Sequence, residues 1–182
     1  ARPTGRNSGD GRARMHDDDG MLNNGEPEAD TTDEDELLQL LVGEVWVNVY
    51  RFGGMGVVDF GGTVSWPRGD SGEVSTGSRY AVHAQCPFRI VQCGEVYLGS
   101  DDLVPAGGGD RLAYDAGADA LREFLERRSP RVLAVERAPE GDLRITLEHE
   151  LRIDVLPTSA KVEECWRFLV RDGEHLVFPP VD

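Results

Sequence analysis

The sequence predicts an α+β domain built from two pseudo-symmetric repeats, each with one short helix and about five mostly antiparallel strands. Two observations identify the repeats: apolar residues keep their spacing when residues 43–66 are moved by 87 positions onto residues 130–153, and residues 88–98 resemble residues 166–177. A third observation assigns the elements. Each repeat begins with apolar residues at helical spacing and continues with alternating ones, the patterns of an amphipathic helix and of half-buried strands.

The predicted helix of each repeat has apolar residues along one face. These are Leu37, Leu38 and Leu41 in the first repeat, and Ala118, Leu121, Phe124 and Leu125 in the second. The second helix is expected to end at Ser129-Pro130, because proline cannot continue a helix.

Strands are predicted after each helix from alternating apolar residues and from glycine-containing turns. Leu143, Ile145 and Leu147 alternate with polar residues, as in a sheet with one buried face. Gly61-Gly62 aligns with Glu148-His149, and a Gly-Gly pair between apolar strands favours a hairpin turn. A turn is therefore expected at both places, the second one at residues 148–150.

The remaining segments complete this plan. Residues 67–80, rich in Gly and Ser, are expected to form an exposed loop. Hairpins at 88–98 and 166–178 are expected to close the two repeats. The predicted organisation is a disordered acidic tail at residues 1–32, the first repeat at 33–105 and the second at 106–182, with residues 33–182 forming one compact domain.

The net negative charge of the chain limits the classes of partner that it is expected to bind. The formal net charge is −15, and residues 15–36 contain ten Asp or Glu and no Lys or Arg. A surface of this sign repels nucleic acid phosphates and anionic lipid. It suits a basic protein partner, or simply solubility.

Metal and acid–base chemistry receive little support from the sequence. The candidate zinc ligands are His83, Cys86, Cys93 and Cys165. His83 and Cys86, three apart on a predicted strand, would point to opposite faces, so no metal site is predicted and the thiols are expected to be buried. His149 is interpreted as part of a solvated turn. Asp101 and Asp102 either cap a turn or bind a cation.

The candidate binding residues include two arginines that the repeat makes equivalent. Arg89 and Arg167 each follow an aromatic residue, which is Trp166 in the second repeat. Equivalent residues of a duplicated fold tend to approach the pseudo-symmetry axis together, where two guanidinium groups would clamp an anion. The alternative is a cross-strand ion pair within each hairpin. Those pairs would be Arg89 with Glu95 and Arg167 with Glu174.

Two segments also carry a family resemblance: HAQCPFRIVQCGEVYLGSDDL at 83–103 and ECWRFLVRDGEHLVFPP at 164–180. With their aromatic-Arg, Gly-Ser-x-Asp-Leu and Glu-x-Trp-Arg motifs, they resemble a group of uncharacterised bacterial proteins of similar length, a domain of unknown function. The resemblance covers residues 37–180 and implies a compact cytoplasmic bacterial protein. It implies no activity, substrate or cofactor.

The function that the sequence favours is a non-catalytic protein-binding module of the immunity or adaptor kind, acting on a basic protein. No signal peptide, no apolar run of about 20 residues and an odd number of cysteines favour the cytoplasm. No catalytic grouping, cofactor motif or metal-ligand spacing is recognised, and no nucleic acid or membrane partner is expected. The alternative is a small-ligand binder or enzyme whose site lies between the repeats, with Arg89, Arg167, Asp101 or His83 in it.

Overall fold

A computed structural model of the chain describes residues 33–68, 72–104, 112–159, 163–171 and 173–180. The predicted disordered tail at 1–32 lies outside the described residues. The helices are α1 (Asp33–Gln39) and α2 (Ala113–Arg128), and Ser100–Leu103 forms a 3₁₀ helix. The strands are β1 (Trp46–Phe52), β2 (Met55–Pro67), β3 (Val74–Ala84), β4 (Phe88–Gln92), β5 (Glu95–Gly99), β6 (Val132–Arg137), β7 (Leu143–Leu147), β8 (Leu151–Val155), β9 (Trp166–Val170) and β10 (His175–Phe178).

These strands form two antiparallel sheets that both repeats share. Sheet 1 has the order β1-β2-β3-β9-β10, and sheet 2 has the order β5-β4-β8-β7-β6. The first repeat supplies α1 and β1 to β5, and the second supplies α2 and β6 to β10. Each sheet therefore takes three strands from one repeat and the final hairpin from the other. The α+β prediction is confirmed, and the two repeats are interlocked.

A backbone bridge between residues 86 positions apart marks the pseudo-two-fold relation, so the first strands of the two repeats are equivalent at an offset of 86 and not at the predicted 87. Val45 and Arg131, which precede the first strands of the two repeats, form an isolated antiparallel bridge with each other. Two matched bonds flank the bridge: Trp46 N–H donates to Pro130 O, and Val132 N–H donates to Glu44 O, both over 2.9 Å. Because each bond has its counterpart, the repeats meet here with equal geometry.

Each helix packs on the first strand of the other repeat. The hydroxyl of Tyr114 on α2 donates to Tyr50 O on β1 over 3.2 Å. Nε2 of Gln39 on α1 donates to Val135 O on β6 over 3.0 Å. These bonds satisfy backbone carbonyls on the outermost strands of the two sheets, and they tie each helix to the opposite repeat. Among the described residues, neither helix has the length and apolar content that crossing a membrane requires.

The core lies between the inner faces of the sheets and the helices; burial alternates along β7, whereas six consecutive residues of β2 are buried. Trp46 stacks on Phe60 with ring centroids 6.4 Å apart. Phe88 of the first repeat meets Tyr114 of the second edge-to-face at 6.0 Å. Burying one such side chain contributes about 1.5–3 kcal/mol. Contacts of this kind make the two repeats share a single core.

One predicted turn is confirmed and the other is wrong. Residues 148–150 form the turn between β7 and β8, where His149 and Glu150 both have positive φ. Gly61-Gly62, by contrast, lies inside β2 at an irregularity of the pairing with β3. Glycine permits a bulge as readily as a turn, and here β2 continues because β3 pairs with it as far as the Pro67–Val74 pair. The predicted loop at 67–80 is accordingly strand from Val74 onward.

Candidate anion-binding site

The two equivalent arginines occupy matching positions on the outer faces of different sheets. Arg89 on β4 lies opposite Asp154 on β8. Arg167 on β9 lies opposite His83 on β3. The structure therefore does not bring the two arginines together as a clamp. Nor does the register place the predicted acidic partners beside them: the hairpin residue opposite Arg89 is Gly99, and the one opposite Arg167 is Val177.

In sheet 2 the arginine is fully engaged with a buried carboxylate. The side chain of Asp154 is only 1% exposed, and it accepts hydrogen bonds from Nε of Arg89, Arg144 and Arg152. The three distances are 2.9, 2.9 and 3.0 Å. Burial alone would raise the pKa of Asp154, but the bonds from Arg144 and Arg89 and the charge of Arg152 together lower it. This cluster is a saturated ion network.

In sheet 1 the equivalent arginine has no such carboxylate, because His83 stands at the position of Asp154. Nη2 of Arg167 donates to Glu164 Oε2 over 2.5 Å. Its Nε is buried and has no hydrogen-bond partner among the described residues. The Nε of Arg89 is the equivalent atom, and it donates to Asp154. An unsatisfied buried donor costs about 1–3 kcal/mol, so this one marks a place where an acceptor is missing.

A cavity of about 540 Å³, which we call the sheet-1 cavity, opens beside Arg167. Its lining combines residues from both repeats: Phe52, Gly54, Met55, His83, Gln85, Glu164 and Arg167. Nε2 of Gln85 donates to Glu164 Oε1 over 2.9 Å, which fixes the carboxylate that holds Arg167. Phe52 is 74% exposed at the rim. The cavity lining thus combines polar side chains with the exposed ring of Phe52.

Two titratable groups on this face have shifted pKa values. Burial, assisted by the charges of Arg171 and Arg167, lowers the pKa of His83, so the imidazole is neutral at pH 7. Burial raises the pKa of Asp59 to about 6, although a hydrogen bond from Asn48 and the charge of Arg171 oppose the shift. Oδ1 of Asp59 is buried without a hydrogen-bond partner. Groups with shifted pKa values cluster at functional sites, and of these two groups His83 lines the cavity.

The other predicted binding residues lie elsewhere. Trp166 is fully buried, and its Nε1 donates to Gly141 O over 2.8 Å, so the indole belongs to the core. Asp102 accepts the Gly99 N–H through Oδ2 over 2.8 Å at the start of the 3₁₀ helix, as a turn cap does. Asp101 and Asp102 line a second cavity, of about 470 Å³, together with Arg89.

The candidate metal ligands do not form a cluster in the part of the chain that the structure describes, where no group of three or more His, Cys, Asp or Glu could hold an ion. His83 lines the sheet-1 cavity. Cys93 is exposed, whereas Cys165 is buried and Cys86 is partly buried. His149 is exposed at its turn and contacts Phe124 edge-to-face at 6.1 Å.

No family model, curated protein or solved structure matches the chain.

Sequence reasoning missed most residues that define the two arginine sites. Arg144, Arg152 and Asp154 lie on neighbouring strands, and their convergence depends on the register between β7 and β8. Glu164 belongs to the Glu-x-Trp-Arg motif, but the motif alone does not indicate its contact with Arg167. One sequence signal was available: Arg152 and Asp154 are two apart on a predicted strand, so both point to the same face.

Proposed function

We propose that the protein binds a small monocarboxylate in the sheet-1 cavity. The observation that carries the proposal is the unpaired Nε of Arg167, whose counterpart on Arg89 donates to Asp154. A ligand carboxylate in the cavity would supply the acceptor that His83 does not provide, once the Arg167 side chain turns its buried Nε towards the cavity. Arginine suits this role because its planar fork matches carboxylate geometry.

The surroundings of Arg167 narrow the ligand class. Glu164 lines the same cavity and would repel a dianion such as a phosphate monoester, which favours a single negative charge. Neutral Gln85 and His83 can donate hydrogen bonds to a second polar group. Met55 and the exposed Phe52 offer apolar contact at the rim. The best fit is a carboxylate attached to a compact apolar group.

Binding is tested with matched pairs of compounds, such as benzoate with benzamide and butyrate with butyramide. We expect the carboxylates, and not the amides, to raise the melting temperature and to shift amide resonances of β3 and β9. Arg167→Gln should remove the response, whereas Arg144→Gln, which alters the arginine cluster of sheet 2, should retain it. Equal responses to acids and amides would contradict the proposal.

A gain-of-contact variant gives a second test that does not depend on finding the best ligand. His83→Asp places a carboxylate opposite Arg167, as Asp154 lies opposite Arg89. We expect this variant to be at least as stable as the parent protein and to lose carboxylate binding. Unchanged carboxylate binding by His83→Asp would count against a ligand acceptor at this position.

A second candidate is the binding of a basic protein by an immunity-like or adaptor-like module. The net charge of −15 favours it, as do two exposed apolar residues that flank the bridge between the repeats: Val47 is 39% exposed and Leu133 is 56% exposed. Such a complex is expected to weaken with salt. The test is capture of a basic protein on immobilised protein at low salt, with loss of capture at high salt and in a Val47→Asp/Leu133→Asp variant.

A further inference from the structure

Two cysteines lie together where the chain crosses between the sheets. Cys86 is in the link from β3 of sheet 1 to β4 of sheet 2, and Cys165 immediately precedes β9 of sheet 1. The N–H of Cys86 donates to Cys165 O over 3.0 Å. Their thiols are close enough to be hydrogen-bond partners. Each repeat thus contributes one thiol to the same spot.

The backbone geometry suits a covalent bond between them. A direct hydrogen bond from the amide of one cysteine to the carbonyl of the other holds their Cα atoms within the range of about 4–7 Å that disulfides span. Both cysteines are free thiols in this structure. The third cysteine, Cys93, occupies the exposed turn between β4 and β5, so it serves as an internal control.

A small reagent can approach the pair. Cys86 and Cys165 both line a cavity of about 270 Å³, which Thr158 and Glu163 also line. Burial raises the pKa of the Cys86 thiol to about 12, with the neighbouring Cys165 adding to the shift. At neutral pH Cys86 is therefore a thiol, and its reaction with an oxidant should be slow and should accelerate as pH rises.

We propose that Cys86 and Cys165 are a redox modification site that closes to an intramolecular disulfide under a peroxide. The thiolate sulfur of one cysteine attacks a peroxide oxygen, the O–O bond breaks, and the departing hydroxide takes up a proton to leave as water. The resulting sulfenic acid is attacked by the second thiolate, the S–O bond breaks, and a second water leaves. Two thiols and one hydrogen peroxide thus give one disulfide and two waters.

The disulfide would join the two repeats at their crossover segments. It would close a loop of about 80 residues, and loops of this length give large stabilisation because they restrict the unfolded chain. We expect the oxidised protein to melt about 10 °C above the reduced protein, and dithiothreitol to reverse the shift. This inference does not require a ligand in the sheet-1 cavity, although Gln85 and Glu164 line both cavities.

The experiment treats the full chain with hydrogen peroxide, removes the oxidant, blocks remaining thiols and measures intact mass and tryptic peptides. The expected product has lost about 2 Da, two hydrogen atoms, and has one blocked thiol. Trypsin cleaves after Arg89, so Cys86 and Cys93 fall in different peptides. We expect the Cys86 and Cys165 peptides to be linked, and the melting shift to accompany the link.

Two cysteine variants show which cysteines form the disulfide. Cys93→Ser should form it as the parent protein does, and Cys86→Ser should not. The peptide map of the peroxide-treated parent protein identifies the linked cysteines directly. The assignment of the disulfide therefore does not depend on whether a variant folds. A link that involves Cys93, addition of oxygen atoms without a link, or unreacted thiols after prolonged treatment at pH 9 would each overturn the proposal.

Discussion

His83 and Asp154 occupy equivalent positions in the two repeats. Each lies on the third strand of its repeat, directly opposite an arginine that the other repeat supplies. Asp154 accepts hydrogen bonds from three arginines, whereas His83 leaves the Nε of Arg167 unpaired beside a cavity. One backbone position therefore carries a saturated ion cluster in sheet 2 and an open site in sheet 1.

Asp154→Asn should destabilise the protein strongly. The substitution removes the charge that holds Arg89, Arg144 and Arg152 together, and breaking a buried ion network on one side costs about 3–5 kcal/mol. Because these arginines are 36–49% exposed and regain water, a value near the lower end is expected. Urea unfolding at pH 7 measures the change. The control is Glu136→Gln, an exposed position opposite Arg144, which should change stability by less than about 0.5 kcal/mol.

The carboxylate of Asp154 should also make the stability of the protein depend on pH in the acid range. The pKa of Asp154 is lower in the folded protein than its ordinary value of 3.8. Its stabilising contribution is therefore complete above that value and is lost as pH falls through the folded pKa. The stability difference between the parent protein and Asp154→Asn should shrink below about pH 4. A difference that stays constant from pH 7 down to pH 3 would show that the charge of Asp154 has no part in it.

Asp59→Asn should have the opposite pH dependence. The pKa of Asp59 rises from 3.8 to about 6 on folding, because this carboxyl is only 7% exposed. Its contribution is favourable below pH 4 and is lost as pH rises through 6. Asn keeps a polar amide beside Asn48 without the buried charge. At pH 8 the variant should be more stable by about 2–3 kcal/mol, and at pH 4 the two should be nearly equal. Chemical unfolding of both proteins at pH 4 and pH 8 measures this difference. Free energies of unfolding that change with pH in parallel for the two proteins would refute the raised pKa of Asp59.

The sequence predicted the repeated elements better than it predicted their pairing. The match of Phe88-Arg89 with Trp166-Arg167 is confirmed by their equivalent strand registers. Apolar spacing defines a strand and its buried face, but it does not choose a neighbour: β4 presents the same pattern whether it pairs with β3 of its own repeat or with β8 of the other. The exchange of hairpins was therefore not predictable from periodicity.

The candidate site, like the fold, depends on strand pairing that local sequence spacing does not determine. The sequence indicates both Arg167 and His83 as candidates, yet their adjacency follows from the pairing of β3 with β9. Asp154 does not stand out in the sequence, because an acidic residue alternating with apolar ones is typical of any exposed strand face. Only the register, which brings three arginines onto that carboxylate, distinguishes it. Chemistry that depends on register between distant segments is not contained in local spacing.

Gly141→Ala should be far more damaging than Gly54→Ala, although the two glycines align in the repeat. Gly141 has φ of +95°, and a Cβ there would lie 1.9 Å from Cε1 of Phe178. Its carbonyl also accepts the Trp166 indole N–H. At Gly54 a Cβ meets no atom within 4 Å. We expect a loss above about 3 kcal/mol for Gly141→Ala and below about 1 kcal/mol for Gly54→Ala, by thermal unfolding. Similar losses would mean that Phe178 moves aside without cost.

Separated repeats should fold only together. A fragment of residues 33–104 retains β4 and β5, but it lacks β8, against which β4 pairs in sheet 2. A fragment of residues 105–182 likewise lacks β3 as the partner of β9. Because each hairpin would have an open edge, each fragment should be unfolded or self-associated alone. Mixed in equal amounts, the two should restore one complex with the near-ultraviolet circular dichroism of the intact chain.

A single substitution provides the control for this complementation. Ile90 is fully buried on β4 and lies opposite Ile153 on β8. Ile90→Asp in the first fragment places an unpaired charge at this contact, so it should abolish assembly. Arg68→Ala, at an exposed residue beyond the end of β2, should leave assembly intact. If either fragment alone gives a folded monomer with dispersed amide resonances, its repeat does not need the strands of the other, and the interlocked pairing of the sheets is refuted.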